Sequence, residues 1–281
     1  MSAPSSSDKD FPYWLVIAGG IGVLLAYRVA VDDLYSRVFA IISKGIGITI
    51  FVTLVAFALA SALGLLLAVM SLSRHIVLRQ IARFYIEIVR GIPILVLLFY
   101  IAFVGAPALV IAINAVLEPL GLEPMRTRDL SLLWRAILAL MIGYAAFIAE
   151  VFRAGIQAVD EGQIEAAKAL GLNGWHRFRF IVLPQALRTI LPPLGNDFIA
   201  LIKDSSLVSV LGVADITQLG KVYAAGSFRF FETYNTVAYV YLVMTVGLSL
   251  ALRALERRMR RSAVEAGAAD TRRGRKKTPP N

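Results

Sequence analysis

Residues 164–184 read IEAAKALGLNGWHRFRFIVLP, and the arrangement of the whole chain can be worked out from this stretch. It combines an Ala-rich run with two glycines, several basic groups and a closing proline, whereas the segments 132–156 and 186–212 on either side are long and mostly apolar. Charged groups are costly inside a bilayer, so a stretch this polar does not cross it. It is therefore predicted to be a loop between two membrane-spanning helices.

The composition agrees with a membrane protein. Of the 281 residues, 58% are hydrophobic and 17% are charged, with a mean hydropathy of +0.71, whereas an average soluble domain is roughly 25% charged. Cys is absent, which excludes a disulfide framework and a Cys nucleophile. With only His75 and His176 present besides, no metal site is expected.

Six segments are long enough to span a bilayer, which takes roughly 20 mostly apolar residues. They cover residues 11–31, 45–73, 91–117, 132–156, 186–212 and 235–252. Residues 1–10 are polar and predicted to be disordered. A signal peptide is the alternative reading of 11–31, but the preceding residues are not net positive and no clear small-x-small cleavage site follows. Pro107 predicts a kink or an early exit in the third span.

The predicted fifth span, 186–212, differs from the others because it carries polar groups along its length. They are Arg188, Asn196, Asp197, Lys203, Asp204, Ser205 and Ser206. Such a helix must line a protein interior or a wet cavity. Pro192, Pro193 and Gly195 predict that the helix is broken or bent, which is tolerated where neighbours satisfy the freed carbonyls.

Basic residues predict the orientation of the spans, since cytoplasmic loops are enriched in Lys and Arg. The segments 74–90 and 157–185 are basic, and from Arg253 onward the chain holds ten Lys or Arg against three Asp or Glu. These segments, the basic tail 259–281 and the N-terminus are therefore predicted to be cytoplasmic. A basic tail can also bind nucleic acid, but beside membrane spans the cytoplasmic flank is favoured and no nucleic acid partner is expected.

Within the loop 157–185, residues 159–170 are rich in helix formers, and Gly171 is suited to end the helix. Ile164, Ala167 and Gly171 fall at i, i+3 and i+7, which groups small and apolar residues on one face. Such a helix could lie in the groove of another protein. The alternative is a helix resting on lipid headgroups, which the aromatic and basic residues 175–180 favour.

The spacing of this loop resembles the EAA-x3-G-x9-I-x-LP signature of bacterial ABC importer permeases. The matching positions are Glu165, Ala166, Ala167, Gly171, Ile181, Leu183 and Pro184. Four further segments look like those of the polar amino acid permeases, the group that serves histidine, glutamine, glutamate and arginine uptake. They are 49–70, 85–93, 144–157 and 195–213, and the resemblance covers about residues 43–258.

The resemblance implies an all-α, polytopic fold of the type I ABC importer permease kind, with a five-span core to which 11–31 is added. The helix in the loop 157–185 would then be the coupling helix, which sits in a cleft of a separate ATP-hydrolysing subunit. The docking residues carried over are Glu165, Ala166, Ala167, Gly171, Leu172 and Pro184. The implied setting is the bacterial inner membrane, and the implied partners are an ATP-binding subunit dimer, a second permease, identical or sister, a periplasmic or extracellular solute-binding protein and membrane lipids.

The chain is not expected to be an enzyme. It has no P-loop G-x-x-x-x-G-K-[ST], so ATP is expected to be used by the partner subunit and no cofactor is expected on this chain. Neither a Ser-His-Asp arrangement nor paired carboxylates on a soluble scaffold are found in the sequence, so no catalytic residue is assigned.

Polar residues inside the spans are candidates for the substrate path of a zwitterion. Glu150 could meet an ammonium group, or it could be a structural partner of Arg153 or Lys203. Asn196, Lys203, Ser205 and Ser206 could bind carboxylate and amide groups, or they could hydrogen-bond between helices. Arg90 is interpreted as an anchor at the cytoplasmic start of the third span.

The function predicted is the permease subunit of an ATP-driven importer for polar L-amino acids that works by alternating access. The alternative is an ion-gradient-driven secondary transporter or a channel for small zwitterions, with the loop resting on lipid. A membrane scaffold or sensor would leave the polar fifth span unexplained. Which amino acid is carried stays open at this point.

Overall fold

The computed structural model describes the backbone of residues 13–275, and the side chains of that stretch apart from 14, 15, 18 and 255–275. Within these residues every regular element is helical, which confirms the predicted all-α fold. The helices are α1 (Tyr13–Val31), α2 (Asp33–Ile42), α3 (Ile46–Ser71), α4 (Ile76–Gly91), α5 (Ile94–Tyr100), α6 (Ala106–Leu117), α7 (Leu132–Gln157), α8 (Glu161–Ala169), α9 (Gly174–Arg177), α10 (Leu183–Asp204), α11 (Ile216–Ser227) and α12 (Phe230–Arg275). The predicted disorder of 1–10 and the tail residues 276–281 lie outside the described residues.

Four helical stretches among the described residues are long and apolar enough to cross a membrane. They are Asp33–Ser71, Ile94–Leu120, Leu132–Gln157 and Phe230–Ala254. They correspond to the predicted second, third, fourth and sixth spans. The first predicted span corresponds to α1, a helix of 19 residues that carries Arg28 in its last turn. The fifth contains α10, a helix of 22 residues with several charged and polar side chains.

The second span begins earlier than predicted, because α2 runs through the 3₁₀ turn Ser43–Gly45 into α3. Asp32 caps this helix, and its Oδ1 accepts the N–H groups of Leu34 at 2.9 Å and Tyr35 at 3.4 Å. An N-terminal cap of this kind satisfies backbone donors that the helix itself leaves unpaired. The helical stretch therefore starts at residue 33 rather than 45.

The core of the bundle is built around α7. Of its most apolar stretch 56% is buried, against 11% for the stretch in α12, which places α7 at the centre and α12 at the outside. Gly64 of α3 lies against α7 so closely that a Cβ there would be 2.9 Å from Ile148 Cγ2. Small residues at such positions let two helices pack backbone to backbone.

The effects of proline differ from those predicted. The third span does not end at Pro107 but widens just before it, in the π turn Ile101–Gly105 that joins α5 to α6. α10 passes unbroken through Pro192 and Pro193, so of the predicted break or bend the break is wrong, and the bend stays a prediction. The helix changes to a 3₁₀ turn only at Ser205–Leu211. The prolines cannot donate a backbone hydrogen bond to the carbonyls of residues 188 and 189, which are both exposed residues.

The segment 213–234, predicted as a loop, holds the helix α11. Asp215 caps it by accepting the N–H of Gln218 at 2.8 Å, and the hydroxyl of Tyr241 donates to the other carboxylate oxygen at 3.2 Å. The backbone of Asp215 and Ile216 packs directly on Gly45, where a Cβ would come within 2.4 Å of the Ile216 nitrogen. These contacts fasten α11 to α3 and α12.

Candidate functional site

The loop between α7 and α10 carries α8, which is capped at both ends. At its start, Asp160 accepts the N–H of Gln163 at 3.1 Å. At its end, Gly171 has φ of +75°, and its N–H donates to the carbonyl of Lys168 at 2.9 Å. A Cβ on Gly171 would meet nothing within 4 Å, so the backbone conformation rather than lack of space favours glycine there. The predicted helix and its end at Gly171 are confirmed.

α8 turns one face inward and one outward. Ala167 is 3% exposed, and Ile164 packs against an apolar cluster between α7 and α10 that contains Val182 and Ala186. The exposed residues include Glu165, Ala166, Leu170 and Gly171. The sequence interpretation that joined Ile164, Ala167 and Gly171 in one outward face is therefore corrected, because the two apolar members face the chain's own body.

The second half of the loop presents aromatic side chains. Asn173 caps α9 by accepting the N–H of His176 at 2.9 Å, and the π turn Phe178–Val182 continues into α10. Trp175 is 68% exposed and Phe180 62%. Exposed aromatic groups beside basic ones suit a membrane interface.

The loop is tied to the polar helix that follows it. Leu172 is half-buried beyond α8, and Pro184 lies in the first turn of α10. The side-chain amide of Gln185 on α10 donates to Gln163 of α8 at 2.6 Å. Both this hydrogen bond and the apolar cluster beneath Ile164 therefore join α8 to the base of α10.

Glu150, a predicted path residue, makes a salt bridge with Arg153. The distance between Glu150 Oε2 and Arg153 Nη2 is 2.5 Å, and Arg153 Nη1 donates to Gln157 at 2.8 Å. The structural partnership considered for Glu150 is therefore present. The pair also lines a cavity of about 510 Å³, which we call the arginine cavity. Its charged and amide side chains are Arg83, Glu87, Arg90, Glu150, Arg153 and Gln157.

The four candidates on the fifth span do not converge. Ser205 is fully buried and donates to the carbonyl of Ile202 at 2.7 Å, as a helix-capping hydroxyl does. Ser206 is half-buried, and its carbonyl accepts from Ser209 at 2.7 Å. Asn196 and Lys203 are exposed on the surface of α10. The structure therefore separates these residues into packing and surface positions.

A second cavity of about 530 Å³ lies where the junction of α4 and α5 meets α7 and α10, and we call it the inner cavity. It is lined by Arg90, Tyr144, Phe147, Asp197 and Asp204, among others. The hydroxyl of Tyr144 donates to Asp204 Oδ2 at 2.7 Å. The guanidinium of Arg90 lies over the ring of Phe147, 5.7 Å from its centroid. This grouping holds both signs of charge beside aromatic rings.

Asp197 and Asp204, the acidic residues that line the inner cavity, have no site role predicted from the sequence. The signal that could have found them is the spacing of Asp197 and Asp204, which are seven residues apart and therefore share one face of α10. Tyr144 and Arg90 lie on other helices, and no pattern within a single helix shows that they meet this face.

The chain matches the family described as "Binding-protein-dependent transport system inner membrane component" over residues 60–261. The chain belongs to this family. The permease is 37% identical over 221 residues to the probable amino-acid permease protein YxeN of Bacillus subtilis (strain 168), which covers 79% of this chain and 92% of that protein. It is also 37% identical over 217 residues to the glutamine transport system permease protein GlnP of Escherichia coli (strain K12), covering 77% and 92%.

Solved structures agree with this assignment. A chain in the crystal structure of an amino acid ABC transporter with histidines has a TM-score of 0.65 and 36% identity to the permease, covering 80% of this chain and 95% of that one. A chain of the MetNI methionine ABC transporter in an inward-facing conformation has a TM-score of 0.60 at 22% identity, which shows the fold alone. The type I importer fold is thus confirmed, and the permease is a transport subunit, with ATP hydrolysis in a separate subunit.

Proposed function

We propose that the permease carries polar L-amino acids into the cytoplasm, where each is released after delivery by a solute-binding protein on the outer side. The observation that carries the proposal is α8, an exposed helix ended by Gly171 and linked to the polar helix α10. The relatives described as amino-acid and glutamine permeases support the substrate class. The ion-gradient alternative gains no support from the family.

The assembly proposed holds two permeases, identical or sister, and two ATP-binding subunits. The exposed polar side chains of α10 support a second permease. Asn196 and Lys203 are exposed there, and polar groups at membrane depth need a protein or water-filled surrounding rather than lipid. A second permease facing α10 would supply that surrounding and complete the wall of the substrate path between the two chains.

The orientation proposed places both termini and α8 in the cytoplasm. The support is the basic character of 74–90, 157–185 and the tail, each of which follows an even number of crossings from the N-terminus. The exposed residues Glu165, Ala166, Leu170 and Gly171 then face the ATP-binding subunit, while Ala167 is buried on the opposite side, toward the body of the permease. Pro184 and Leu172 hold the far end of the loop. No bound cofactor is proposed for the role of this chain in transport.

The mechanism proposed is a ligand-driven shift between two arrangements of the bundle. ATP binding closes the partner subunits and displaces α8. Since Gln163 and Ile164 join α8 to α10, the displacement tilts α10 and changes which side of the membrane the inner cavity opens to. Hydrolysis of ATP and release of the nucleotide return the bundle to its first arrangement.

Reconstitution into proteoliposomes tests this function. The permease is reconstituted with its ATP-binding subunit and solute-binding protein, and uptake of labelled L-glutamine, L-arginine and L-glutamate is measured. We expect uptake of one or more of them that requires all three components and hydrolysable ATP. Uptake that persists without the ATP-binding subunit and follows an imposed ion gradient would overturn the proposal in favour of a secondary transporter.

A further inference from the structure

A third cavity, of about 400 Å³, lies where α1, α2 and α12 meet, and we call it the α1 cavity. One of its walls is α1, which lies outside the residues 60–261 that match the family. Two membrane-spanning stretches, Asp33–Ser71 and Phe230–Ala254, begin at its level. The cavity therefore lies near one surface of the bilayer, at the depth where lipid headgroups meet the hydrocarbon.

The charged and amide groups that line the α1 cavity are poorly satisfied by the chain. Arg28 Nη1 is 4.0 Å from Asp32 Oδ2, which is too far for a hydrogen bond, while the other oxygen of Asp32 caps α2. Glu232 Oε1 is 3.8 Å from Arg229 Nη1, although the Glu232 side chain is only 21% exposed. Asn235 is half-buried, and its side chain makes no hydrogen bond within the part of the chain that the structure describes. Polar groups withdrawn from water without partners cost free energy that a ligand can recover.

Together these groups match a ligand that carries both signs of charge. The guanidinium of Arg28 and the amide N–H groups of Asn235 are donors that suit the oxygens of a phosphate. The carboxylate of Glu232 is an acceptor that suits an ammonium group. The cavity holds one cation, Arg28, against the two carboxylates of Asp32 and Glu232. A ligand with a phosphate alone would meet this excess of negative charge, whereas a phosphate joined to an ammonium complements the set.

The apolar part of the α1 cavity faces the bilayer. Leu24 and Leu25 of α1 and Phe231 of α12 line it. Leu24 is 57% exposed and Phe231 is 75% exposed, so the apolar walls continue onto the outer surface of both helices. At the start of a membrane-spanning helix that surface is covered by hydrocarbon chains. A ligand that fits the whole cavity therefore has a zwitterionic head and an apolar tail.

We infer that the α1 cavity binds a zwitterionic phospholipid, with Arg28 and Asn235 holding the phosphate and Glu232 the ammonium of a phosphoethanolamine headgroup. The lipid bridges α1, which supplies Arg28, and α12, which supplies Glu232 and Asn235. It thereby fastens the first helix to the bundle. Since this site is apart from α8 and from the inner cavity, the inference goes beyond the proposed function and does not depend on it.

The chemistry of the site sets an order among phospholipids. Phosphatidylethanolamine has a primary ammonium, which can donate hydrogen bonds to Glu232. Phosphatidylcholine has the same charges, but its trimethylammonium group has no N–H to donate. Phosphatidylglycerol has the phosphate without a cation and meets the second carboxylate unfavourably. The ethanolamine lipid is therefore expected to bind more tightly than either of the others.

Native mass spectrometry of the assembled importer tests this order. The complex is purified in detergent and mixed with the three phospholipids, all with the same acyl chains, and the bound lipid is counted. We expect the ethanolamine lipid to be retained at about tenfold lower concentration than the other two, because a hydrogen bond between charged groups is among the stronger ones. Soluble O-phosphoethanolamine is the competitor. Its displacement of the lipid at equal concentration would show that the cavity takes a free zwitterion and would overturn the lipid assignment.

Variants locate the site. Glu232→Gln is expected to remove the preference for the ethanolamine lipid over the choline lipid, and Arg28→Gln to weaken retention of all three. Arg28→Lys keeps the charge and is expected to restore part of the binding. The matched controls are Glu123→Gln and Arg128→Gln, since both residues are exposed between α6 and α7 and line none of the three cavities.

Thermal unfolding of each variant, with and without the ethanolamine lipid, separates lost binding from lost folding. We expect Arg28→Gln and Glu232→Gln to unfold as the natural chain does without lipid but to gain less stability from it. Lipid retention and stabilisation that are unchanged in both variants would overturn the inference. An equal loss in the two control variants would overturn it too.

Discussion

At the scale of the residue, glycines in this chain serve two different purposes. Gly171 and Gly121 have positive φ values of +75° and +69° with open space around them, so they satisfy backbone conformation. Gly45 and Gly64 have ordinary helical conformations but leave no room for a Cβ, so they satisfy packing. The residue type is the same, yet the effect of replacing it differs because the cause differs.

Gly45→Ala and Gly47→Ala are expected to change stability in opposite directions. A methyl group at Gly45 meets the backbone of α11, which has no flexible end to move aside, so we expect a loss of about 1–3 kcal/mol in the free energy of unfolding. At Gly47 nothing lies within 4 Å, and Ala should stabilise the helix by up to about 1 kcal/mol. Thermal unfolding in detergent measures both, and a shift of the same sign for the two variants would contradict the account.

At the scale of the element, the stability of α8 depends on how its two ends are capped. It has nine residues, too few for a helix to be stable alone in water. Its order comes from Asp160 at the start, from Gly171 at the end and from Ile164 and Ala167 packed on the body of the chain. A docking element of this kind must hold its shape before the partner arrives, since ordering it on binding would cost affinity.

Asp160→Ala is therefore expected to loosen α8. Loss of the N-terminal cap costs about 0.5–2 kcal/mol of helix stability, so amide hydrogen exchange in 161–169 should become faster while exchange in α7 is unchanged. Asp160→Asn retains an acceptor and serves as the control. Equal exchange rates in the Ala and Asn variants would show that the packing of Ile164, and not the cap, orders the helix.

The elements differ in how far the sequence predicts them. α3 and α7 follow from long runs of apolar residues, which have few structures available in lipid. The arginines of the segment 74–90 predict a connecting loop, yet the segment forms α4, whose buried residues Ala82, Ile86 and Val89 share one face. On α8 the spacing shows which residues share a face but not that Ile164 and Ala167 turn inward, since that depends on where α10 lies.

At the scale of the whole molecule, the loop 157–185, which we call the docking loop, and the inner cavity differ in how well the sequence predicts them. The docking loop is continuous in sequence, so its motif can be recognised from the order of its residues. The inner cavity joins residues of the α4–α5 junction, α7 and α10, and it depends on how closely these helices approach each other. A Cβ at Gly143 of α7 would come within 2.4 Å of Ile94 on α5, and one at Gly155 would come within 2.2 Å of Ile190 on α10. α10 begins at the loop and lines the cavity, so the proposed coupling between the two would run through this helix.

The most direct test of the central claim, that α8 transmits the action of a separate ATP-hydrolysing subunit, compares Gly171→Asp with Gly121→Asp in the reconstituted importer. Both glycines have positive φ and open surroundings, but Gly121 lies between α6 and α7, away from the docking loop. The measurement is ATP-driven amino acid uptake, with binding of the ATP-hydrolysing subunit recorded on the same samples. We predict that Gly171→Asp stays in the membrane but loses partner binding and uptake, while Gly121→Asp keeps both. Normal uptake by Gly171→Asp, or an equal loss in Gly121→Asp, would contradict the account.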